Sequence, residues 1–423
     1  MERIKKIAVE VCRIFIGMVF LFSGFAKAVD PLGSAYKYQD YFTAWGMDFL
    51  GGFAMPMSFA LSAVEFLLGA CILLGVYRRF STIVLLLFMS FMTPFTLYLA
   101  IANPVTDCGC FGDAWVITNW ETFFKNLVLL SASIVLFLWY KKMTTVFSYK
   151  MNWLLVFFVS SFILLVSYYC YQNLPVLDFR PYKLGNSIPE GMIIPEGMPA
   201  DEYVSTFIYE KDGVQQEFSL EEAPMNDSTW VFVDAKTTVV KKGYEPPIHD
   251  FSLVNAEGID ITEEVLHDTN YTFLLVSPKL GKADDSNVDR INEIYDYSLE
   301  HGYKFYCMTA STADETTEWV NNTGAEYPIC ATDEITLKTI VRSNPGLVLI
   351  KEGVIYNKWH NSNIPENKDL EEPLESSSLG QIAPDNDTKE LLVISLVFLI
   401  PLALLYLADH KTRKQLKEKN QQL

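Results

Sequence analysis

Apolar positions along this chain fall into two regimes. Six runs are almost uninterrupted, over about Ile7–Ala28, Met55–Val76, Phe80–Ala102, Thr122–Tyr140, Trp153–Tyr171 and Leu391–Ala408. Each approaches the roughly 20 apolar residues that a helix needs to cross a bilayer, so six transmembrane helices are predicted. Asp30-Pro31 is predicted to stop the first. The polar, aromatic connection that follows carries Tyr36, Tyr38, Tyr41 and Trp45 and is expected to lie on the membrane surface. Tyr77-Arg78-Arg79 leaves room only for a tight turn between the second and third spans.

Between the fifth and sixth runs the pattern is that of a water-soluble segment. A Pro- and Gly-rich linker over Pro175 to Pro199 leads into strand-like runs at Tyr203–Glu210, Val214–Phe218 and Trp230–Asp234, with Lys211-Asp212-Gly213 as a hairpin signal. This predicts a small β-rich subdomain ending near Lys242. From Gly243 strands alternate with helices: strands Thr272–Ser277, Lys304–Thr309 and Tyr327–Cys330, helices Ser286–His301, Ala313–Asn322 and Ile335–Val341. A terminal hairpin, Gly346–Lys351 and Val354–Trp359, turns at Glu352-Gly353. That order predicts an α/β domain with a parallel-cored sheet.

The formal net charge of −18 over 423 residues gathers between about Asn173 and Glu390, which argues against nucleic-acid binding. Basic residues concentrate instead at the N-terminus, Arg78-Arg79, Lys141-Lys142 and the tail His410-Lys411-Thr412-Arg413-Lys414. The positive-inside rule puts these four segments in the cytoplasm. Both termini are then cytoplasmic and the acidic domain periplasmic, across a bacterial inner (plasma) membrane. The first run has no small-residue cleavage site and reads as a retained helix.

Candidate chemistry centres on Asp107-Cys108-Gly109-Cys110-Phe111-Gly112, between the third and fourth spans. Residues two apart can approach within the roughly 4.4–6.8 Å that a disulfide spans, and so small a ring favours labile exchange. Two thiols could also be half of a zinc site, but no further Cys or His follows at metal spacing. Cys170, Cys307 and Cys330 are predicted on the same side and form a candidate relay; Cys307 and Cys330 end neighbouring strands, either bridged or reduced. Cys12 and Cys71 read as packing residues near the other face. Two intramembrane charges, Arg13 and Glu65, form a candidate ion pair. N-x-Ser/Thr patterns at Asn226, Asn270, Asn321 and Asn386 carry no weight beyond exposure.

Arg13-Ile14-Phe15-Ile16-Gly17, Phe22-Ser23-Gly24-Phe25-Ala26-Lys27 and Glu65 resemble the DoxX family of four-helix membrane proteins, and the CxC-Phe-Gly loop resembles its MauE-like redox branch. The resemblance implies a membrane component of thiol or sulfur redox chemistry, linked in some members to quinones, with Cys108 and Cys110 as the matching redox pair. Pro247-Ile248-His249-Asp250-Phe251-Ser252-Leu253 and Asn344-Pro345 resemble the lead-in and the cis-proline site of TlpA- and peroxiredoxin-type thioredoxin folds. Where active members carry CxxC, this chain has Ser277-Pro278-Lys279-Leu280-Gly281-Lys282. Ser277 has no thiol to ionise, so ordinary thioredoxin activity is not expected there.

The resulting division is a four-helix bundle (1–142), a fifth span (143–172), a linker and β-rich subdomain (173–242), a degenerate thioredoxin-like domain (243–365), an acidic linker (366–389), a sixth span (390–409) and a basic tail (410–423). Two functions are expected: a thiol–disulfide oxidoreductase component that exchanges electrons with a periplasmic thiol or disulfide protein, with quinone as a further acceptor, or a non-enzymatic scaffold. For the first, Cys110→Ser is predicted to trap a mixed disulfide through Cys108.

Overall fold

The computed structural model describes residues 2–421 except Thr106, Ala200, Asp201, Asp212, Leu220, Glu221, Asn226, Ser228, Lys242 and Asp385. Asp212 of the expected turn, Asn226 and the expected boundary at Lys242 lie outside the described residues.

The first part of the chain folds as α1 (Glu2–Val29), α2 (Pro31–Ala44), α3 (Ala54–Leu74), α4 (Arg78–Ala102), α5 (Asn119–Leu138) and α6 (Asn152–Gln172). All of these but α2 are long and apolar enough to span a membrane. In lipid, helices associate through close packing, and small residues permit it. A Cβ on Gly24 of α1 would lie 2.8 Å from Phe66 Cα, and one on Gly69 of α3 would lie 2.6 Å from Leu21 N. Glycine at these points lets the α1 and α3 backbones nearly touch, which brings the polar residues of α1 within reach of Glu65.

The connection expected on the membrane surface is α2, a helix in its own right. Asp30 Oδ1 accepts the Gly33 N–H at 2.8 Å, and Pro31 stands in the first turn, where its missing N–H leaves no bond unmade. The residues that end α1 therefore begin α2. It buries Ala35, Tyr38, Tyr41 and Phe42 in a cluster with Ala54, Leu99 and Cys108.

The external region starts with α7 (Ile188–Met192), followed by β1 (Glu202–Lys211), β2 (Val214–Ser219) and β3 (Val231–Lys241), an antiparallel sheet in the order β2-β1-β3. Then come α8 (Thr262–Leu266), β4 (Tyr271–Ser277), α9 (Val288–His301), β5 (Lys304–Thr309), α10 (Ala313–Thr323), β6 (Ile329–Ala331), α11 (Glu334–Ile340), β7 (Gly346–Lys351) and β8 (Val354–His360). Local chemistry sets the helix ends: Thr312 and Glu315 form a capping box at α10, and Gly302 closes α9 in the left-handed conformation.

The five strands run β6-β5-β4-β7-β8, with β4, β5 and β6 parallel and β7 and β8 antiparallel. All seven residues of β4 are buried, as expected for a strand covered on both faces. A central β-α-β unit, an antiparallel hairpin beside it and a cis Asn344–Pro345 bond before β7 make this a thioredoxin-like fold.

Neither expected linker hangs free. Gly185 and Ile188 N–H donate to Ile355 O (2.8 Å) and Gly353 O (2.9 Å), and Tyr182 and Ile188 enter the core on one sheet face. Leu370 and Leu374 enter the core on the other face, and Tyr271 Oη donates to Gly380 O at 2.8 Å. Apolar anchors between the prolines and acidic residues hold both segments down. Last is α12 (Asp387–Gln421), whose Phe398 packs on Phe66, Phe158 and Phe162.

Candidate functional site

The CxC loop is held from three sides. Gly109 takes φ +65°, a conformation disfavoured for any residue with a Cβ, and its N–H donates to Asp107 Oδ1 at 2.8 Å. This turn folds Cys108 and Cys110 together, with their sulfurs 2.7 Å apart and both free. Tyr41 Oη of α2 donates to Cys108 O at 3.0 Å, and Lys37 of the same helix pairs with Asp107 at 2.8 Å.

Beneath the loop lies a buried polar cluster. Lys27 Nζ is 2.8 Å from Glu65 Oε2 and 2.9 Å from Ser23 Oγ, and it also donates to Cys110 O. Its three N–H bonds are thus all taken. Ser23 Oγ lies 2.7 Å from both Glu65 Oε2 and Cys110 O. Two charges in hydrocarbon persist only when paired and hydrogen-bonded, and here the backbone of the CxC loop completes that satisfaction. The Tyr38 hydroxyl is buried near the same groups, without a hydrogen-bond partner among the described residues.

The two thiols differ. Cys108 packs into the aromatic cluster under α2, whereas Cys110 is partly exposed and lines a cavity of about 30 Å³ with Glu65, Phe88, Met92 and Lys125. The hydrogen bond between the two sulfurs, reinforced by the positive charges of Lys125 and Lys27, brings the Cys110 thiol down to about 6 against burial. The same hydrogen bond, with burial, pushes Cys108 up. Of the two, Cys110 is the more readily ionised.

The thioredoxin-like domain docks on the rim of this site. Arg342, three residues before the cis proline, reaches Asp30 Oδ1 and Oδ2 through Nε at 3.0 and 2.8 Å, and Asp113 Oδ2 through Nη2 at 2.7 Å. Its guanidinium also sits 5.7 Å from the centre of the Tyr36 ring, with Lys338 Nζ 4.9 Å from the same ring. Despite burial, Asp30 and Asp113 hold Arg342 above its ordinary value. Asp113 is three residues beyond Cys110, so loop and domain share one ion-pair network.

Other sequence candidates fall elsewhere. Arg13 pairs with Glu10 at 2.7 Å and donates to Thr144 O at 2.7 Å; the partner of Glu65 is Lys27, so the Arg13–Glu65 pair does not form. Lys27 stands at the Glu65 end of α1, four residues past Ser23 in the motif already noted, whereas Arg13 lies more than three turns away. Cys170 is buried at the end of α6, and among the described residues no hydrogen bond joins it to the CxC pair. The register pairs Cys307 with Ile329 and Met308 with Cys330, which puts the two cysteines in cores on opposite faces of the sheet. They cannot bridge without inverting a strand. Burial pushes both thiols up, Cys330 to about 11. Where the resemblance placed CxxC, Ser277 Oγ donates to Asn344 Oδ1 at 2.7 Å, next to Pro345.

Bundle, loop and docked domain define a six-helix membrane protein with a thioredoxin-like domain attached. Its N-terminal bundle is a MauE-type domain: the profile of the family described as Methylamine utilisation protein MauE matches residues 5–140. Residues 203–242 match a domain of unknown function, DUF8463. Among solved structures, a thioredoxin-like protein from Aeropyrum pernix is 14% identical, with 34% of this chain and 87% of that one covered at a TM-score of 0.21. Peroxiredoxin Q from Xanthomonas campestris is 13% identical, covering 27% of this chain and 82% of its own at 0.21. No curated protein matches the chain by sequence.

Proposed function

We propose that this protein is a thiol–disulfide exchange component of a bacterial inner membrane, with the CxC loop and the docked domain in the periplasm and both termini in the cytoplasm. The observation that carries the reading is the pairing of Cys108 and Cys110, 2.7 Å apart, over a buried lysine–glutamate cluster that binds the Cys110 carbonyl. The four basic segments support the orientation.

In the exchange, the Cys110 thiolate attacks one sulfur of a partner protein's disulfide. A mixed disulfide forms and the partner's other sulfur leaves as a thiolate. Cys108 then attacks the Cys110 sulfur, its proton passing to the departing partner sulfur. The partner leaves as a dithiol once its first thiolate takes a proton from water, and the Cys108–Cys110 disulfide remains, two electrons having moved outward; the same steps in reverse move them inward. Lys27 and Lys125 stabilise the thiolate state of Cys110.

The cavity beside Cys110, about 30 Å³, suits one or two waters and does not fit a quinone ring. No step above needs one. For the thioredoxin-like domain a scaffold role is favoured, because Ser277 and Asn344 close its former redox position and Arg342 ties it to the bundle.

Cys108→Ser in the full chain is expected to accumulate a mixed disulfide through Cys110, seen on non-reducing electrophoresis and assigned by peptide mapping. If neither Cys108→Ser nor Cys110→Ser traps any species, the exchange reading fails and the scaffold reading covers the whole chain.

A further inference from the structure

At the opposite end of the bundle a cavity of about 500 Å³ opens between the α3–α4 turn, the segment joining α5 to α6, and α12. Three arginines line it: Arg78 and Arg79 from the first turn of α4, and Arg413 from α12. Asp409 is the nearby acid, and it is already engaged by Ser148 and by Arg413 Nη2 at 2.7 Å. Arg78 Nη1 is spent on Met143 O and Lys141 O. Arg79 is exposed, and among the described residues no acid pairs with it. Arg413 Nε is buried without a hydrogen-bond partner.

Backbone donors converge on the same space. α4 has no side-chain cap at its N-terminus, and its first turn lines the cavity through Arg78, Arg79 and Phe80; Asn152 of α6 also lines it, its N–H already donated to Tyr149 O. Uncapped N–H groups, helix dipoles and guanidiniums all favour an anion. The remaining wall is aromatic: Tyr77 and Tyr149 stack edge to face at 5.6 Å, and Phe80 is 68% exposed at the outer side. Charge above and an apolar flank below is the profile of a phospholipid rather than of a soluble phosphate ester.

We propose that this cavity binds the headgroup of an anionic phospholipid, its phosphate between Arg79 and Arg413 and its acyl chains along Phe80. The consequence is structural. The most apolar stretch of α12 has no buried residue, and it meets the bundle mainly through Phe398 and a few aliphatic side chains. A lipid that bridges Arg79 of α4 to Arg413 of α12 clamps the last helix at the end remote from the external domain.

The test uses the purified full chain and native mass spectrometry with dioleoylphosphatidylglycerol, against dioleoylphosphatidylcholine and against millimolar inorganic phosphate. One phosphatidylglycerol is expected to be retained about tenfold more strongly than phosphatidylcholine, whose phosphate is the same but whose trimethylammonium group meets the three arginines with like charge. Arg79→Gln, on an exposed side chain, is expected to remove most of that preference with the melting profile in lipid-free detergent unchanged; Arg79→Gln/Arg413→Gln is expected to abolish it. Equal retention of the two lipids, or undiminished preference in the double variant, would overturn the proposal. Displacement of the lipid by inorganic phosphate would overturn it too, in favour of a soluble anion.

Discussion

Two regions of this chain are built around cysteines or their usual position, and they differ in what surrounds the sulfur. In the CxC loop the sulfurs face each other, one is partly exposed, and its hydrogen bond to the other sulfur, with Lys125 and Lys27, stabilises charge on it. In the thioredoxin-like domain Cys307 and Cys330 sit fully buried on opposite faces of a sheet, and the position that would hold an activated thiol is Ser277. A thioredoxin-like fold therefore does not by itself place two cysteines together. Here that domain supplies a docking arginine, Arg342, while a short loop in the bundle holds the paired sulfurs.

That contrast can be broken most sharply at the sulfurs. Cys108→Ser/Cys110→Ser is expected to abolish disulfide exchange with a model dithiol or disulfide, whereas Cys307→Ser/Cys330→Ser should leave the rate within about twofold, since a buried, protonated thiol contributes nothing to exchange. A double Cys307/Cys330 variant as inactive as the CxC variant would move the chemistry to the sheet.

Next is the buried pair. Lys27→Met leaves Glu65 without its cation and should destabilise the bundle by about 3–5 kcal/mol, measured by thermal melting in detergent. Lys27→Met/Glu65→Leu should be less destabilised than either single change, because no charge remains unpaired. If Glu65→Leu alone leaves stability and exchange untouched, the cluster has neither role.

Arg342→Ala is expected to loosen the docked domain by a similar amount at most, since Asp113 stays partly exposed and Asp30 keeps its Gly33 hydrogen bond. Faster hydrogen exchange in α11 would report it. Arg342→Lys should rescue only in part, because an ammonium lacks the planar fork by which Nε and Nη2 meet Asp30 while Nη2 also reaches Asp113.

The smallest effect is one of pH. With its value near 6, Cys110 is about nine-tenths thiolate at pH 7 and about one-tenth at pH 5, so alkylation should slow roughly ninefold as pH falls between them. Cys330, near 11, should stay unreactive in the folded protein across that window. Coincident profiles for the two cysteines would erase the contrast.

Much of the fold was legible because local signals carry it. Strands Lys304–Thr309 and Gly346–Lys351 and the helix at Ala313 appear where pattern puts them, and the cis proline at Pro345 where the family resemblance put it. α2 was legible in principle, since Asp followed by Pro starts a helix as readily as it ends one; its tyrosines pointed to an interface and hid the cap. Lys27 lay in plain view in a noted motif, but its pairing with Glu65 depends on how closely Gly24 and Gly69 let two helices approach. Arg342 was beyond reach: its partners Asp30 and Asp113 are 312 and 229 positions away, and nothing local signals such a contact.

Asp30 has a second aspect, which concerns the order of synthesis. Its carboxylate caps α2 and also receives Arg342, so one side chain made early serves a residue made far later. Until the external domain has been synthesised and folded, Asp30 and Asp113 wait at the bundle rim without their guanidinium. Helix insertion and domain docking are thereby ordered in time, and a ribosome-stalled or truncated chain ending before Arg342 presents an acidic, uncovered rim that distinguishes it from the finished protein.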